Sequence, residues 1–180
     1  MKTIKILRIL INILFYTLIA VFAIGFIFIL LLFFFPNIVP MPLRGFSMMF
    51  NQPFGWKIYL ALFSAVINYL LLIIAMYFLK KSVASFLNSD FYSEKVTKNL
   101  KKAGSIFIFI GISTIIIQLF VVVFVQSLAH NMIQIKTGFF IRLINTLAAA
   151  IDFKSIISII IGLFFLLFSK IFENSRILKQ

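Results

Sequence analysis

The chain has 180 residues, of which 63% are hydrophobic and only 12% charged, with a mean hydropathy of +1.18. A soluble domain is nearer half apolar and about a quarter charged, and one carrying 25 Phe would expose large apolar patches. The net charge of +13 would suggest nucleic acid in a soluble protein, but here the cations flank apolar runs, so they are read as span anchors facing anionic headgroups and nucleic-acid binding is not expected.

Residues 9–35 follow Lys2, Lys5 and Arg8 and predict the first span. The run exceeds the roughly 7–15 apolar residues of a signal-peptide core, and no small-x-small cleavage site follows, so the span is expected to be retained. At about 1.5 Å per residue it is longer than a bilayer core of about 30 Å requires, so it is expected to tilt or project. Pro36 should end it. Pro40, Pro42, Gly45, Pro53 and Gly55 then forbid a continuous helix. Met48, Met49, Phe50 and Phe54 keep that loop apolar, and Trp56 suits the aromatic belt of the outer interface.

Residues 58–79 predict the second span, with Lys57 before it and Lys80 and Lys81 after it. Asn68 lies near its middle. Ala61 and Ala65 form a small-xxx-small pair that would admit a close neighbour.

The segment 80–104 is the longest that apolar residues do not dominate. It carries Lys80, Lys81, Lys95, Lys98, Lys101 and Lys102, together with Asp90 and Glu94. A basic hinge between two spans belongs in the cytoplasm. Asn88, Ser89 and Asp90 mark a break, Ser93 is placed to cap a helix, and Glu94 in its first turn suits the helix dipole. Val96, Leu100 and Ala103 then recur at i, i+4 and i+7, with the lysines on the other faces. This predicts a short amphipathic cytoplasmic helix leading into the third span. It reads either as a membrane-surface connector or as a docking face for a cytoplasmic partner, with Ser93, Glu94, Lys95, Lys98, Lys101 and Lys102 as contact residues.

Residues 105–125 predict the third span, with Gly111, Ser113, Thr114 and Gln118 inside it. Its Val and Ile content is high, but an isolated strand cannot satisfy its backbone in lipid, so a helix is forced. Between residues 126 and 151, Phe140, Leu143, Ile144 and Leu147 have helical spacing and predict an outer interfacial helix. The single His130 is read as a polar loop residue. It has no second His or acid nearby, and no Cys is present, so no metal or cofactor site is expected. Residues 153–172 predict the last span, which Lys170 and Glu173 close as an i, i+3 pair.

The cations orient the chain. Twelve Lys and Arg fall on the N-terminus, the hinge and the C-terminus, against five on the opposite loops (Arg44, Lys57, Lys136, Arg142 and Lys154). The expected fold is therefore an all-α integral membrane protein, a four-helix transmembrane bundle in one membrane domain spanning 1–180. Both termini are expected in the cytoplasm of a bacterium, across its inner membrane.

Catalytic motifs are missing: no clustered acids, GxSxG, HExxH or phosphate-binding glycine loop occurs, and no ionisable residue lies well inside a span. An enzyme is not expected, and secondary transport is disfavoured. The polar residues at depth are Asn68, twelve residues before Lys80, and Gln118, fourteen after Gly104. In antiparallel neighbours they are expected at similar depth, facing inward as a buried pair that fixes helix register.

The hinge pattern Tyr92-Ser93-Glu94 followed by Leu100-Lys101-Lys102-Ala103-Gly104 resembles that of the YoaS-like bacterial membrane family, a domain of unknown function. Ser169-Lys170-Ile171-Phe172-Glu173 with Ile177-Leu178-Lys179 resembles that family's closing segment. Tyr92 stands where the family has Phe, Val96 where Asn is common, and the family's acidic ending does not follow Lys179. The resemblance implies a membrane partner that tethers or restrains a cytoplasmic helix-turn-helix regulator. Two other readings stand beside this binding or regulatory role: an accessory structural subunit of a larger membrane complex, and a small channel or transporter. The topology makes a direct prediction: a reporter fused near residue 45 should be accessible from outside intact cells, and one near residue 90 should not.

Overall fold

The computed structural model describes residues 2–35, 55–86, 93–132, 144, 146, 148 and 151–177. They form four helices and no strand: α1 (Lys2–Phe34), α2 (Gly55–Phe86), α3 (Glu94–Met132) and α4 (Phe153–Ile177). Each contains a stretch long and apolar enough to cross a membrane. The proline-rich loop at 36–54, the hinge break at 87–92 and the residues from 178 onward lie outside the described residues. So does the expected interfacial helix, apart from isolated positions such as Ile144.

The helix ends follow local chemistry. α1 stops just before Pro36, and its last turn closes with Phe35 N–H donating to Leu31 O at 2.9 Å. Ser93 caps α3: its Oγ accepts the Val96 N–H at 3.4 Å, and its carbonyl accepts from Val96 and Thr97. Several boundaries differ from expectation: α1 begins at Lys2 rather than at residue 9, α2 at Gly55 rather than at residue 58, and α4 runs to Ile177 rather than to residue 172. α2 continues past Lys80 and Lys81 to Phe86, because the following residues contain no Gly or Pro and long lysine stems leave the charge free to reach water. α3 likewise runs on to Met132, so His130 lies in its last turn rather than in a loop. The amphipathic segment is not a separate element but the first three turns of α3.

The helices alternate in direction and are arranged as a row. α1 packs on α2, α2 on α3 and α3 on α4; among the described residues no other pair of helices approaches within 8 Å between Cα atoms. The bundle expected from the sequence is thus open, with α1 and α4 as its edges.

The closest approach is between α3 and α4. Thr97, Gly104 and Gly111 recur every seven residues on α3, and Ser155, Gly162 and Ser169 do so on α4. Run antiparallel, they meet in order: Ser169 Oγ donates to Thr97 O at 2.9 Å, Gly104 faces Gly162, and Gly111 faces Ser155. A Cβ at Gly104 would stand 2.7 Å from the Gly162 carbonyl oxygen, and one at Gly162 would meet the Gly104 carbonyl equally closely. Small residues are what permits this contact, since any side chain at Gly104 or Gly162 would meet the facing backbone. Ser158 Oγ adds a bond to Phe107 O at 2.9 Å.

On its other side α3 meets α2. Ala75, Met76 and Leu79 from α2 join Val96, Leu100, Ala103 and Phe107 from α3 in the buried core. Ile11, Phe15 and Leu18 of α1 and Phe165 and Phe172 of α4 pack against its margins. The small pair anticipated on α2 takes no comparable part: Ala61 is half-buried and Ala65 exposed.

The seam makes the second prediction. Gly162→Leu or Gly104→Leu should lower stability by roughly 1–3 kcal/mol through overpacking, read from the unfolding midpoint in mild detergent. Gly25→Leu should change it by less than about 0.5 kcal/mol, because a Cβ there meets nothing within 4 Å.

Candidate functional site: a basic helix end and the polar groups at depth

The alternating directions bring the start of α1, the end of α2, the start of α3 and the end of α4 to one end of the row. Lys5, Arg8, Lys80, Lys81, Lys95, Lys98, Lys101, Lys102, Lys170 and Arg176 gather there. Among the described residues only Glu94 and Glu173 accompany them.

The first turns of α3 divide as their spacing predicts. Val96, Thr97, Asn99, Leu100 and Ala103 are buried against the neighbouring helices, whereas Lys95, Lys98, Lys101 and Lys102 are exposed. Ser93 is occupied as the cap. Glu94 is engaged twice: Lys98 Nζ lies 2.6 Å from its carboxylate and Arg176 Nη1 lies 3.8 Å from it. Exposed pairs of this kind contribute little individually. The Arg176 contact does tie the end of α4 to the start of α3, and it was not anticipated because the two residues are 82 positions apart in the chain. Lys170 and Glu173, expected to pair, make no ion pair with each other.

Lys102 Nζ stands 5.3 Å above the Phe78 ring centroid, within cation–π range. Beside it Phe78, Lys101, Lys102, Ser105 and Ile106 line an open groove of about 470 Å³. Lys95 and Lys101 have no acidic partner among the described residues. No group of three or more His, Cys, Asp or Glu among the described residues could hold a metal ion.

At depth, Asn68 is bonded, but not to Gln118. Ser113 Oγ donates to Asn68 Oδ1 at 2.7 Å, and Asn68 Nδ2 donates to Thr114 Oγ1 at 3.3 Å. Thr114 Oγ1 in turn donates to Ile110 O at 2.7 Å, and the single Ser113 hydroxyl proton is shared between Asn68 Oδ1 and Ile110 O, 3.0 Å away. Gln118 lies one turn further along α3, with Oε1 buried and unpartnered. The register explains the correction. Phe78 stands beside Lys102, so α3 sits about one turn away from where counting from Lys80 and Gly104 puts it. Ser113 and Thr114 were visible in the third span, and correct register would have selected them.

A scan against protein-family models finds no match for the chain, and neither a search of curated proteins nor one of solved structures finds a relative.

The polar contacts lead to a paired prediction. Asn68→Leu should destabilise the protein by about 1 kcal/mol. Gln118→Leu should be neutral or stabilising, because it removes a buried, unpaired amide oxygen. Unfolding midpoints of the two variants in one detergent would show the contrast.

Proposed function

We propose that the chain is a non-enzymatic, multi-pass protein of the bacterial inner membrane, with its basic end in the cytoplasm, that binds or regulates an acidic protein partner there. The observation that carries this reading is the first three turns of α3. Their apolar side is held by α2 and α4, while Lys95, Lys98, Lys101 and Lys102 face outward on a fixed backbone. A rigid cationic face is preorganised for an acidic surface and would speed encounter with it. Glu94, the acid nearest these lysines, is already committed to Lys98 and Arg176, so the remaining positive charge is available to a partner.

The orientation rests on the excess of Lys and Arg at this end. The resemblance of the hinge and closing segments to the YoaS-like family adds a candidate partner class, a helix-turn-helix regulator tethered at the membrane. This analogy is independent of the geometry. The open row gives the accessory-subunit reading its own support, because the outer faces of α1 and α4 have no protein neighbour among the described residues and could abut a larger complex. The commitment of Asn68 to Ser113 and Thr114 weighs against a permeation path, since these polar groups are used in joining helices.

Crosslinking pull-down from membranes tests the docking face. Replacing Lys95, Lys98, Lys101 and Lys102 together by Ser should remove the main crosslinked partner while the unfolding midpoint stays within about 0.5 kcal/mol of the parent. Recovery of the same partner at the same yield would sink the role assigned to these lysines.

A further inference from the structure

A second basic feature lies where α1 and α2 meet at the same end, apart from the α3 docking face. Arg8, Ile11 and Asn12 from α1 and Lys80, Val83 and Ala84 from α2 line a cavity of about 60 Å³. On each helix these residues recur at i, i+3 and i+4 and so share one face. Two cationic residues therefore line one small space that no carboxylate lines.

Lys80 is positioned rather than free. Its Nζ donates to Tyr16 Oη at 3.2 Å and stands 4.8 and 4.5 Å from the Phe15 and Tyr16 ring centroids. One of the three ammonium protons is used in this way. The Arg8 guanidinium makes no ion pair among the described residues. Asn12 Oδ1 is buried and has no hydrogen-bond partner. A buried acceptor left open costs free energy unless a ligand donates to it.

The depth of the cavity indicates the occupant. Arg8 immediately precedes the apolar run of α1, and Lys80 immediately follows that of α2. The cavity thus sits where hydrocarbon gives way to headgroups. We infer that it is a binding site for the phosphodiester of an anionic phospholipid whose headgroup carries a hydroxyl. Arg8 and Lys80 hold the phosphate oxygens, and the headgroup hydroxyl donates to Asn12 Oδ1. Arginine suits the phosphate through its planar pair of donors, and Lys80 acts as a point charge. The acyl chains remain in the bilayer beside Ile11.

The site can be tested on the full chain in detergent by native mass spectrometry and thermal unfolding. Phosphatidylglycerol, phosphatidic acid, phosphatidylcholine and inorganic phosphate are the probes. Phosphatidylglycerol should be retained in preference to phosphatidylcholine and should raise the unfolding midpoint. Arg8→Gln and Lys80→Gln should each weaken that retention about fivefold, whereas Lys81→Gln, which removes the same charge from an exposed neighbour outside the cavity, should not. Phosphatidylglycerol should also be retained in preference to phosphatidic acid, which has no headgroup alcohol, and Asn12→Leu should abolish that preference. If Lys80→Gln disturbs folding through Tyr16, Arg8→Gln carries the comparison, because Arg8 is exposed and bonds to no other helix. Equal losses in Arg8→Gln and Lys81→Gln would reduce the effect to general surface charge and overturn the site. Stabilisation of lipid-free protein by inorganic phosphate to the same extent would assign the cavity to free phosphate and overturn the lipid reading. Neither readout involves the α3 lysines, so failure here is separate from failure of the docking proposal.

Discussion

The contact on which the structure depends is the glycine-lined approach of α3 to α4. For helices this apolar, placed in a membrane as their length and composition suit, burial would give no preference for a helix neighbour over a lipid chain. What remains is close packing and the hydrogen bonds it permits. Gly104 and Gly162 let the two backbones touch, and Ser169 and Ser158 then reach carbonyls on α3 that larger side chains would have shielded. Carbonyl oxygens already committed within a helix accept a second bond through their remaining lone pair. The seven-residue spacing of small residues on both helices keeps this seam aligned over two repeats.

With α4 fixed on one side, α3 offers its opposite side to α2, and the larger residues follow. Phe107, Leu100 and Met76 lie in the buried cluster that joins α2 to α3. Asn68 then locks the depth of α2 through Ser113 and Thr114. The two interfaces use different chemistry: small residues and serine on one side of α3, bulky side chains and one amide on the other. α1 is held differently again, by rings and a tyrosine. Tyr69 Oη donates to Leu18 O at 3.1 Å and stacks on Phe22, and Lys80 settles between Phe15 and Tyr16.

Much of this was legible before any coordinates. Mean hydropathy and the spacing of lysines located all four helices, and Pro36 and Ser93 marked two of their ends through local backbone chemistry. The division of α3 into a buried and a lysine-bearing side followed from i, i+4, i+7 spacing alone. Register was not legible. Asn68 and Gln118 were matched by counting from charged ends, and lysines near an interface do not mark a sharp depth because their stems let the charge travel. The seam was also in plain view as Gly104, Gly111 and Gly162, but two heptads of small residues become an interface only when their antiparallel alignment is known. That alignment is a property of two helices together, whereas capping and periodicity belong to one.

The open row has a consequence that a closed bundle would not. In a closed bundle each helix shields two neighbours and polar groups collect on a central axis. Among the described residues α1 touches α2 alone, so within them its polar residues can be answered only by α2. Asn12 and Arg8 are such residues, and neither has a protein partner among those described. Opposite them α2 presents Lys80, a cation rather than an acid, so no carboxylate among the lining residues offsets the positive charge. Charge of that kind at a membrane boundary is tolerable when an anion from the bilayer completes it. A lipid bound there, as proposed, would make the contact between α1 and α2 partly protein and partly lipid, whereas Gly104, Gly162, Ser158 and Ser169 join α3 to α4 directly.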